Sequence, residues 1–385
     1  MPDQKREAHP LGPPPEEQHW VRTAAELAQE FARTAAAYDE STSVPRENLE
    51  MLHAAGLDAA LLPKRLGGQG LSYRSYGEIV RLVGAACPAT ACIWVMHIGA
   101  GVGLAEMSAP EVGRFYAGEL IAGRRFANAL SEPTGGNLFL LPQQHAQPAP
   151  GGFRLSGSKR FTSGCEIADH FLVNVLVDGV PTFFGVEAGE SIRYLPIGDT
   201  MGMRANGSRL VEFSGTLLRE DRRCPPPPGP RPNHIGSGIA FLSLGIADAA
   251  VAALVAHARG RTIPTTGEPL SAMQWLRFDL ATVHSLLEAA GMYARHMAWL
   301  ADQNDPGFTS ATLRAKVLSN QVAVDAAQLA LKAGGGSGFL STSPIQRGRL
   351  GGGGRHAGRR LGSGGARPAH RLRGERYAAV ASDEA

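Results

Sequence analysis

The sequence predicts an α+β protein of several domains, with an α-helical domain first, a β domain in the middle and a helical bundle last. Three observations predict this order. Helical periodicity covers about the first 120 residues, short runs rich in Val, Phe, Leu and Thr follow from Phe126, and long helical periodicity returns at Ile239. A chain of 385 residues is long enough to bury a large core and to divide into about two or three domains. The order is unlike that of a doubly wound fold, in which strands and helices alternate.

The N-terminal helical domain is expected over residues 19–124, after a disordered segment at 1–18. The stretch HWVRTAAELAQEFARTAAAYDE repeats apolar residues at helical spacing, with polar residues between them. Pro45 and Gly56 bracket the next helix, because Pro is favoured at the start of a helix and Gly just after its end. The helices predicted in this domain are 19–40, 46–56, 73–86 and 89–107.

The middle β domain is expected over residues 125–224, as short strands divided by Gly, Asp and Pro. Residues 225–235 form a Pro-rich linker. A C-terminal helical domain follows at residues 236–347. Its predicted helices begin at Ile239 and cover 272–302 and 309–332. The first of these helices is apolar nearly all round, so it is expected to be buried within or between subunits.

Most of the positive charge lies in a Gly/Arg-rich tail at residues 348–385, which is expected to be disordered. The tail holds ten Gly and eight Arg against three acidic residues, a net +5, which leaves a net −2 for the rest of a chain whose total is +3. A net acidic body lacks the basic footprint that nucleic-acid binding requires, and the tail offers one aromatic residue, Tyr377, for stacking on bases. A nucleic-acid-binding protein with an Arg/Gly tail is therefore the disfavoured alternative, and no nucleic-acid partner is expected.

The four cysteines, Cys87, Cys92, Cys165 and Cys224, form no CxxC pair and have no His-rich partner segment, so no metal site is expected. Free thiols fit a reducing compartment. The N-terminal residues contain no apolar core of signal-peptide length, and no later apolar run is expected to reach the roughly 18 residues of a membrane span. A soluble, cytoplasmic protein without a membrane partner is expected.

The classical catalytic signatures are absent from the sequence. It has no GxSxG, no P-loop ending in GK[ST] and no HExxH, and the glycines of RLGGQG follow a helix and a loop rather than a strand. A nicotinamide cofactor on a Rossmann fold is therefore disfavoured.

Two segments carry the informative pattern, NALSEPTGGN at 128–137 and GSKRFTSGCEIAD at 157–169. With them the chain resembles the acyl-CoA dehydrogenase family of flavoproteins, whose β domain has a [ST]-E-P turn followed by a G-x-K-x-[WF] strand. A Gly-rich turn lets backbone N–H groups approach a flavin, and a strand with hydroxyl groups offers hydrogen bonds to the ring edge. Further segments resemble the family in the same order: VPRENLEMLHAAGLDAALLPKRLGGQG, DTMGMRANGS at 199–208, SLGIADAAVAALVAHARGRT, and GGGSGF at 334–339.

The resemblance implies a fold and a reaction. The fold has an N-terminal α-helical domain, a middle β-barrel domain and a C-terminal four-helix-bundle domain, with FAD as the cofactor and a homotetramer or homodimer as the assembly. The reaction is α,β-dehydrogenation of an acyl thioester, on CoA or on an acyl-carrier protein. Electrons would leave to an electron-transfer partner or to oxygen.

The residues that the resemblance assigns to flavin binding are Leu130, Ser131, Gly136, Asn137, Thr162, Arg261, Gly335 and Gly336. Ser131 would bond to the pyrimidine edge of the flavin and Thr162 would lie near N5. Arg261 would reach the FAD pyrophosphate of a neighbouring subunit, where its planar fork suits phosphate. Gly335 and Gly336 would close over that same cofactor across the subunit interface.

The sequence does not identify a catalytic base. Most members of the family take the α-proton with a Glu in a Y-E-G-T segment, and neither that segment nor the R-D-A before it follows Arg347. A minority carry the Glu at a position that corresponds here to Ile235, which accepts no proton. His97 and His234 are the remaining candidates, His97 because its helix can face the flavin. Because the base is missing, a flavin-dependent monooxygenase or N-hydroxylase on the same fold stays open as an alternative.

The family pattern stops at Arg347, and Gly and Arg dominate from Gly348 onward. Our hypothesis is that a GC-rich coding region read in a shifted frame has replaced the last helix, together with the segment that normally holds the catalytic Glu. Resequencing of the gene tests this hypothesis, and a repeatedly confirmed frame would contradict it.

Overall fold

The computed structural model describes residues 9–133, 141–198, 200–226, 229, 231–340 and 343. The helices before the β domain are α1 Gln18–Ser41, α2 Arg46–Ala54, α3 Leu57–Ala60, α4 Tyr73–Ala86, α5 Pro88–Met107 and α6 Pro110–Ile121. The strands are β1 Phe126–Ala129, β2 Gln147–Ala149, β3 Gly152–Thr162, β4 His170–Val177, β5 Val180–Glu187, β6 Ile192–Leu195 and β7 Arg209–Arg219. The later helices are α7 His234–Gly260, α8 Gln274–Asp302 and α9 Phe308–Gly334. The predicted order of helical, β and helical domains is confirmed, and the tail predicted at 348–385 lies outside the described residues.

The N-terminal segment predicted to be disordered at 1–18 is structured from His9 onward. Arg74 Nη1 donates hydrogen bonds to the carbonyl oxygens of Pro10 and Gly12, at 2.8 and 3.2 Å. Polar and Pro-rich composition suggested disorder, but these contacts with α4 hold the backbone in place. The prediction is therefore wrong for the described part of this segment.

Helix α7 begins at His234, inside the predicted linker 225–235 and before the predicted start at Ile239. Asn233 is the N-cap, because its Oδ1 accepts the N–H of Gly236 at 2.7 Å. The first turn was not predicted, because glycine lowers helix propensity. The linker is correspondingly shorter than predicted.

The middle domain contains two sheets that share one core. In the first, β1 pairs in parallel with β4, and β4 pairs antiparallel with β5. The second is antiparallel, in the order β2-β3-β7-β6. Phe171 and Val173 of the first sheet and Leu155 and Phe213 of the second are buried in the same cluster. Alternate residues of β1, β4 and β5 therefore face a common interior with residues of β3 and β7.

Isolated bridges join the two sheets at their borders, from His145 to Leu176 and from Phe184 to Arg223. The strands thus surround one core, as the predicted barrel requires, although the regular ladders form two sheets.

The helical bundle draws on both helical domains. α7 packs on α4, α5 and α9, and α8 packs on α9 and α4. Within the described residues the C-terminal domain supplies three of the bundled helices, and α4 of the N-terminal domain is the fourth.

Helices α5 and α7 are long and apolar enough to cross a membrane, which corrects the expectation that no apolar run has this length. Their most apolar windows are 78% and 56% buried inside the protein. Core helices have the same composition, because they contact other elements on most sides.

Candidate functional site

The end of β1 and the end of β3 meet at the turn that the resemblance assigns to a flavin. Leu130 and Ser131 follow β1, and the Ser131 carbonyl oxygen accepts the N–H of Arg160 at 2.7 Å. Thr162 closes β3 just after Arg160 and is fully buried. The structure therefore brings Ser131 to the end of β3, where Thr162 lies, although the two come from separate segments of the sequence.

A buried ion pair holds this turn against the sheets. Lys159 is fully buried, and its Nζ donates to Glu132 Oε1 at 2.7 Å and to the carbonyl and side-chain oxygens of Asn174 at 2.6 and 3.2 Å. All three donors of the ammonium group thus have acceptors. Burial lowers the pKa of Lys159, and the hydrogen bond to Glu132 offsets part of that shift.

The Glu132 carboxylate also ties together the two ends of the turn. It accepts the backbone N–H of Gln143 at 2.9 Å and of Gln144 at 3.3 Å, on the far side of the Gly-rich segment. Gly136 and Asn137 belong to that segment and lie outside the described residues. The positions that enclose them are nevertheless fixed by one buried carboxylate.

Strand β3 ends in a bulge at Thr162. Its pairing with β7 shifts register between Lys159 and Thr162, and Phe161 has φ +54°, a conformation that costs a non-Gly residue about 1–3 kcal/mol. Thr162 Oγ1 is buried and has no hydrogen-bond partner within the described residues. An unpaired buried hydroxyl costs about 1–3 kcal/mol, so a ligand that offers a polar edge here would gain from pairing with it. A flavin ring has such an edge, and the residues present fit it.

Sequence analysis missed the polar groups that connect this strand end to α5. Ser163 Oγ lies 3.0 Å from Ser208 Oγ and 3.8 Å from Cys92 Sγ, and Asn206 Nδ2 lies 3.8 Å from the same sulfur. Burial raises the pKa of Cys92, so the group is a thiol near neutral pH. In the sequence, these polar residues were indicated only by the resemblance of the segments TSGC and MRANGS to the family.

His97, one of the two candidate bases, is 1% exposed. Its Nδ1 accepts the N–H of Phe126 at 3.1 Å, so the ring proton is on Nε2, which lies 3.4 Å from Asp58 Oδ2. The lone pair that a base needs is already occupied. This geometry favours a structural role for His97.

His234, the other candidate, is 7% exposed at the start of α7. Its ring stacks on Tyr73, with centroids 4.7 Å apart, and meets the Tyr76 ring edge-on at 5.0 Å. Burial lowers the pKa of His234 to about 4, so the ring is neutral near pH 7 and a weak base. Packing between two tyrosines is the role that this geometry favours.

Ile235, at the alternative position for the base, faces α5. A Cβ built on Gly99 would lie 2.2 Å from Ile235 Cγ1, so the two residues are in close contact. An apolar side chain held against α5 offers no acceptor for a proton.

Arg261 and the glycines after α9 meet at the far end of the bundle. Arg261 is the C-cap of α7, is exposed, and donates from Nη1 to the Gly334 carbonyl oxygen at 3.3 Å. Gly335 ends α9 with φ +54°, and Gly336 is exposed beside it. The structure therefore groups these three predicted residues, apart from the others.

We call Leu130, Ser131 and Thr162 the inner half-site, and Arg261, Gly335 and Gly336 the outer half-site. The inner half-site contacts α5 through Ser163 and Cys92, and α5 contacts the start of α7 through Gly99 and Ile235. The outer half-site lies at the end of α7. A helix of this length extends about 40 Å. Within one subunit, the inner half-site therefore lies toward the start of α7 and the outer half-site at its end.

The sequence matches two family models: acyl-CoA dehydrogenase, N-terminal domain, over residues 14–124, and acyl-CoA dehydrogenase, C-terminal domain, over residues 235–350. The chain is also 30% identical to the 3-sulfinopropanoyl-CoA desulfinase of Variovorax paradoxus over 343 residues, 84% of this chain and 86% of the relative. The chain belongs to the acyl-CoA dehydrogenase family.

Other relatives agree with this membership of the acyl-CoA dehydrogenase family. The mitochondrial short-chain specific acyl-CoA dehydrogenase of Bos taurus is 26% identical over 364 residues, 86% of this chain and 84% of the relative. The butyryl-CoA dehydrogenase of Megasphaera elsdenii superposes with a TM-score of 0.80 at 21% identity, over 88% of this chain and 93% of the other. This likeness confirms the acyl-CoA dehydrogenase fold.

Proposed function

We propose that this member of the acyl-CoA dehydrogenase family is an FAD-dependent oxidoreductase that removes two hydrogens from the α,β bond of an acyl thioester. The observation that carries the proposal is the inner half-site, where the Ser131 carbonyl oxygen accepts the N–H of Arg160, two residues before Thr162, whose buried hydroxyl has no partner within the described residues. The carrier of the acyl group is CoA or an acyl-carrier protein.

The chain's own residues would hold and orient the flavin ring, which supplies a hydride acceptor when bound. Ser131 would bond to its pyrimidine edge and Thr162 would lie near N5, since a hydroxyl can donate or accept. Lys159 and Glu132 keep the turn that carries Ser131 in one position. Groups fixed in this way need no reorganisation when charge moves during the reaction.

The α-proton must pass to a base while hydride leaves the β-carbon. Ile235 accepts no proton, His97 accepts the N–H of Phe126, and His234 packs between two tyrosines. None of these three residues is proposed as the base.

A second copy of the chain is proposed to complete the flavin site. Helices α8 and α9, which pack on each other, carry large apolar side chains that are between 40% and 68% exposed: Trp275, Phe278, Leu286, Leu313 and Val317. Exposed apolar surface on this scale is typical of an interface between subunits. We propose a homodimer or homotetramer in which the outer half-site of one copy faces the inner half-site of another.

The proposal includes an electron acceptor, because a reduced flavin must be reoxidised before the next turnover. An electron-transfer partner or oxygen would fill this role. The cytoplasm is the proposed location, since the four cysteines are free thiols.

Spectroscopy of the purified full-length protein tests the proposal. We expect the protein to retain or take up flavin, and anaerobic addition of saturated acyl-CoA thioesters of increasing chain length to bleach the flavin band with at least one of them. Bound flavin without bleaching by any thioester would contradict the dehydrogenation. Failure to bind flavin would contradict the flavin site itself.

One observation favours a second candidate reaction. The position for a base on α7 holds Ile235, and the relative with 30% identity is named for removal of sulfinate from 3-sulfinopropanoyl-CoA. Hydrolysis of the carbon–sulfur bond, in which water supplies a hydrogen to carbon and the third oxygen of the sulfite, leaves a saturated acyl chain, so no α-proton has to be removed as in a dehydrogenation. Sulfite release from 3-sulfinopropanoyl-CoA, without flavin bleaching by saturated thioesters, would favour this reaction over dehydrogenation.

The monooxygenase alternative is not favoured. Both family models that match are those of acyl-CoA dehydrogenases, and they cover both helical domains.

A further inference from the structure

A buried charge cluster lies between the helical domain and the first strand of the β domain. We call it the Asp58 cluster: Asp58, His53, Trp94, His97 and Arg125. Asp58 is fully buried, and its Oδ1 accepts the Trp94 indole N–H at 2.7 Å. Its Oδ2 lies 3.2 Å from Arg125 Nη1, 3.3 Å from His53 Nδ1 and 3.4 Å from His97 Nε2.

The Asp58 carboxylate is ionised at the centre of this cluster. Burial alone would raise the pKa of Asp58, but His97, His53 and Arg125 outweigh burial and hold the pKa well below its usual range. A fully buried charge is tolerated only where its partners are in place, and removal of one partner leaves the others uncompensated. The positions of Arg125 and His97 are therefore coupled to the charge on Asp58.

Two members of the cluster connect directly to the start of β1. His97 Nδ1 accepts the N–H of Phe126, and Arg125 is the residue before the strand. The Arg125 N–H also donates to Asp169 Oδ2 at 2.7 Å, and its carbonyl oxygen accepts the N–H of His170 at 3.1 Å. The backbone at 125–126 is thus held by α5 on one side and by β4 on the other.

Strand β1 is an edge strand that leads straight into the inner half-site. It pairs with β4 alone among the described strands, and α5 covers it. Asn128 Nδ2 adds a second link to α5 by donating to the Met96 carbonyl oxygen at 2.6 Å. Leu130 and Ser131 continue from its end. We expect a shift at the start of this strand to reach Ser131, because β1 has only four residues, Phe126–Ala129, between Arg125 and Leu130.

We infer that Asp58 is a positioning residue for the flavin site, acting through Arg125 and His97 on β1 and so on Ser131. The inference rests on the proposed function, because it takes the inner half-site to be where flavin binds. Asp58 does not touch the inner half-site in this chain. Its effect is on where Ser131 stands relative to Thr162.

The test is the dissociation constant of flavin for four variants of the full-length chain, measured by fluorescence titration beside the unfolding midpoint of each flavin-free protein. Asp58→Asn keeps an oxygen for Trp94 but presents an amide donor to Arg125 and His97. His97→Leu removes the acceptor for the Phe126 N–H. We expect each to weaken flavin binding about tenfold, a loss typical of removing a residue that orients a contact group.

Two control variants separate positioning from general stability. Trp94→Phe removes a neutral donor to Oδ1 of Asp58 and leaves the carboxylate charge and the Arg125 and His97 contacts at Oδ2 in place. Asp302→Asn breaks another ion pair, between the end of α8 and the start of α4, in which the carboxylate accepts from Arg74 Nε at 2.6 Å and from the N–H of Tyr73. Both are expected to lower the unfolding midpoint while flavin affinity stays within about twofold of the wild type.

The outcomes distinguish this inference from the proposed function. Wild-type protein that binds no flavin overturns the proposed function, and this inference with it. Flavin bound equally well by the wild type, Asp58→Asn and His97→Leu overturns the inference alone, as does an equal loss of affinity in Asp302→Asn. If Asp58→Asn does not fold, His97→Leu against the two controls decides the question.

Discussion

The inner and outer half-sites differ in how their charged groups are held. Beside the inner half-site, Lys159 is fully buried and each of its donors has an acceptor. In the outer half-site, Arg261 is exposed and, among the described residues, donates to one backbone oxygen, that of Gly334, while a guanidinium has five N–H donors. The charged group beside the inner half-site is therefore satisfied by the folded chain, whereas the guanidinium of Arg261 has N–H donors left for a ligand. Substitution of Lys159 should therefore lower the free energy of unfolding, and substitution of Arg261 should weaken flavin binding between subunits with little change in stability.

The largest loss of stability is expected from Lys159→Met. This change leaves Glu132 as an unpaired buried charge, which should lower the free energy of unfolding by about 3–5 kcal/mol. Urea denaturation measures it. The control is Lys332→Met, because the Lys332–Asp279 pair is 2.7 Å apart with side chains 60% and 43% exposed, and it should lose less than about 1 kcal/mol. Equal losses in the two variants would contradict the account of the inner half-site.

The next largest effect is the pH dependence of the free energy of unfolding that arises from His234. Its pKa is lowered from 6.5 in the unfolded chain to about 4 in the folded protein, so the unfolded state binds more protons as the pH falls. The stabilisation is fully present above pH 6.5 and is lost as the pH falls toward 4, by about 3 kcal/mol in total.

His234→Phe keeps a ring between Tyr73 and Tyr76 and should remove this part of the pH dependence. His296→Phe, which replaces a ring stacked on Trp299, serves as the control and should keep it. Unfolding free energies at pH 7 and pH 4.5 measure both. An unchanged slope in His234→Phe would show that the ring is not buried as described.

A smaller effect, an increase in the stability of the flavin-free protein, is expected from Thr162→Val. The change removes a buried hydroxyl that has no partner within the described residues, so the flavin-free protein should gain about 1 kcal/mol, while flavin binding weakens about tenfold. Thr182→Val is the matched control, because Thr182 Oγ1 donates to the Val180 carbonyl oxygen at 3.0 Å and should cost about 1 kcal/mol when removed. Destabilisation of the flavin-free Thr162→Val protein would show that the hydroxyl is satisfied within the chain.

The smallest change in stability is expected from Arg261→Met in the outer half-site. Because the side chain is exposed, the free energy of unfolding should stay within about 0.5 kcal/mol of the wild type. Flavin affinity should fall about tenfold, since a charge-assisted contact to phosphate is lost. Arg259→Met, two residues earlier in the last turn of α7 and also exposed, should leave affinity unchanged. Equal affinities for the two variants would remove Arg261 from the site.

Much of the fold could be predicted from the sequence, because local signals marked many helix ends. The N-cap Ser72 and the first-turn Pro88 place the starts of α4 and α5 where periodicity puts them. The start of α7 was missed because Gly236 and Gly238 read as a loop. Gly238 is needed for packing instead, since a Cβ there would lie 2.5 Å from the Tyr76 hydroxyl oxygen.

The site was less predictable, because its parts depend on pairings across the chain. The resemblance pointed to Ser131 and Thr162, but it did not show that Lys159 would meet Glu132, a contact that depends on how β1 and β3 pack. Nothing in the segment GLDAAL marks Asp58 as a buried charge, because its partners come from α2, α5 and the start of β1. The position of a charged residue inside a fold cannot be read from spacing alone.

Mixed assemblies test most directly whether one flavin site is built from the half-sites of two copies. A Ser131→Ala, Thr162→Val double variant has a damaged inner half-site, and Arg261→Met has a damaged outer half-site. When the two chains are co-expressed, each mixed dimer should regain one site in which both halves are intact, so about a quarter of all sites should bind flavin with wild-type affinity. If each chain instead supplied both halves of its own site, every site would carry a defect, and no high-affinity binding would appear.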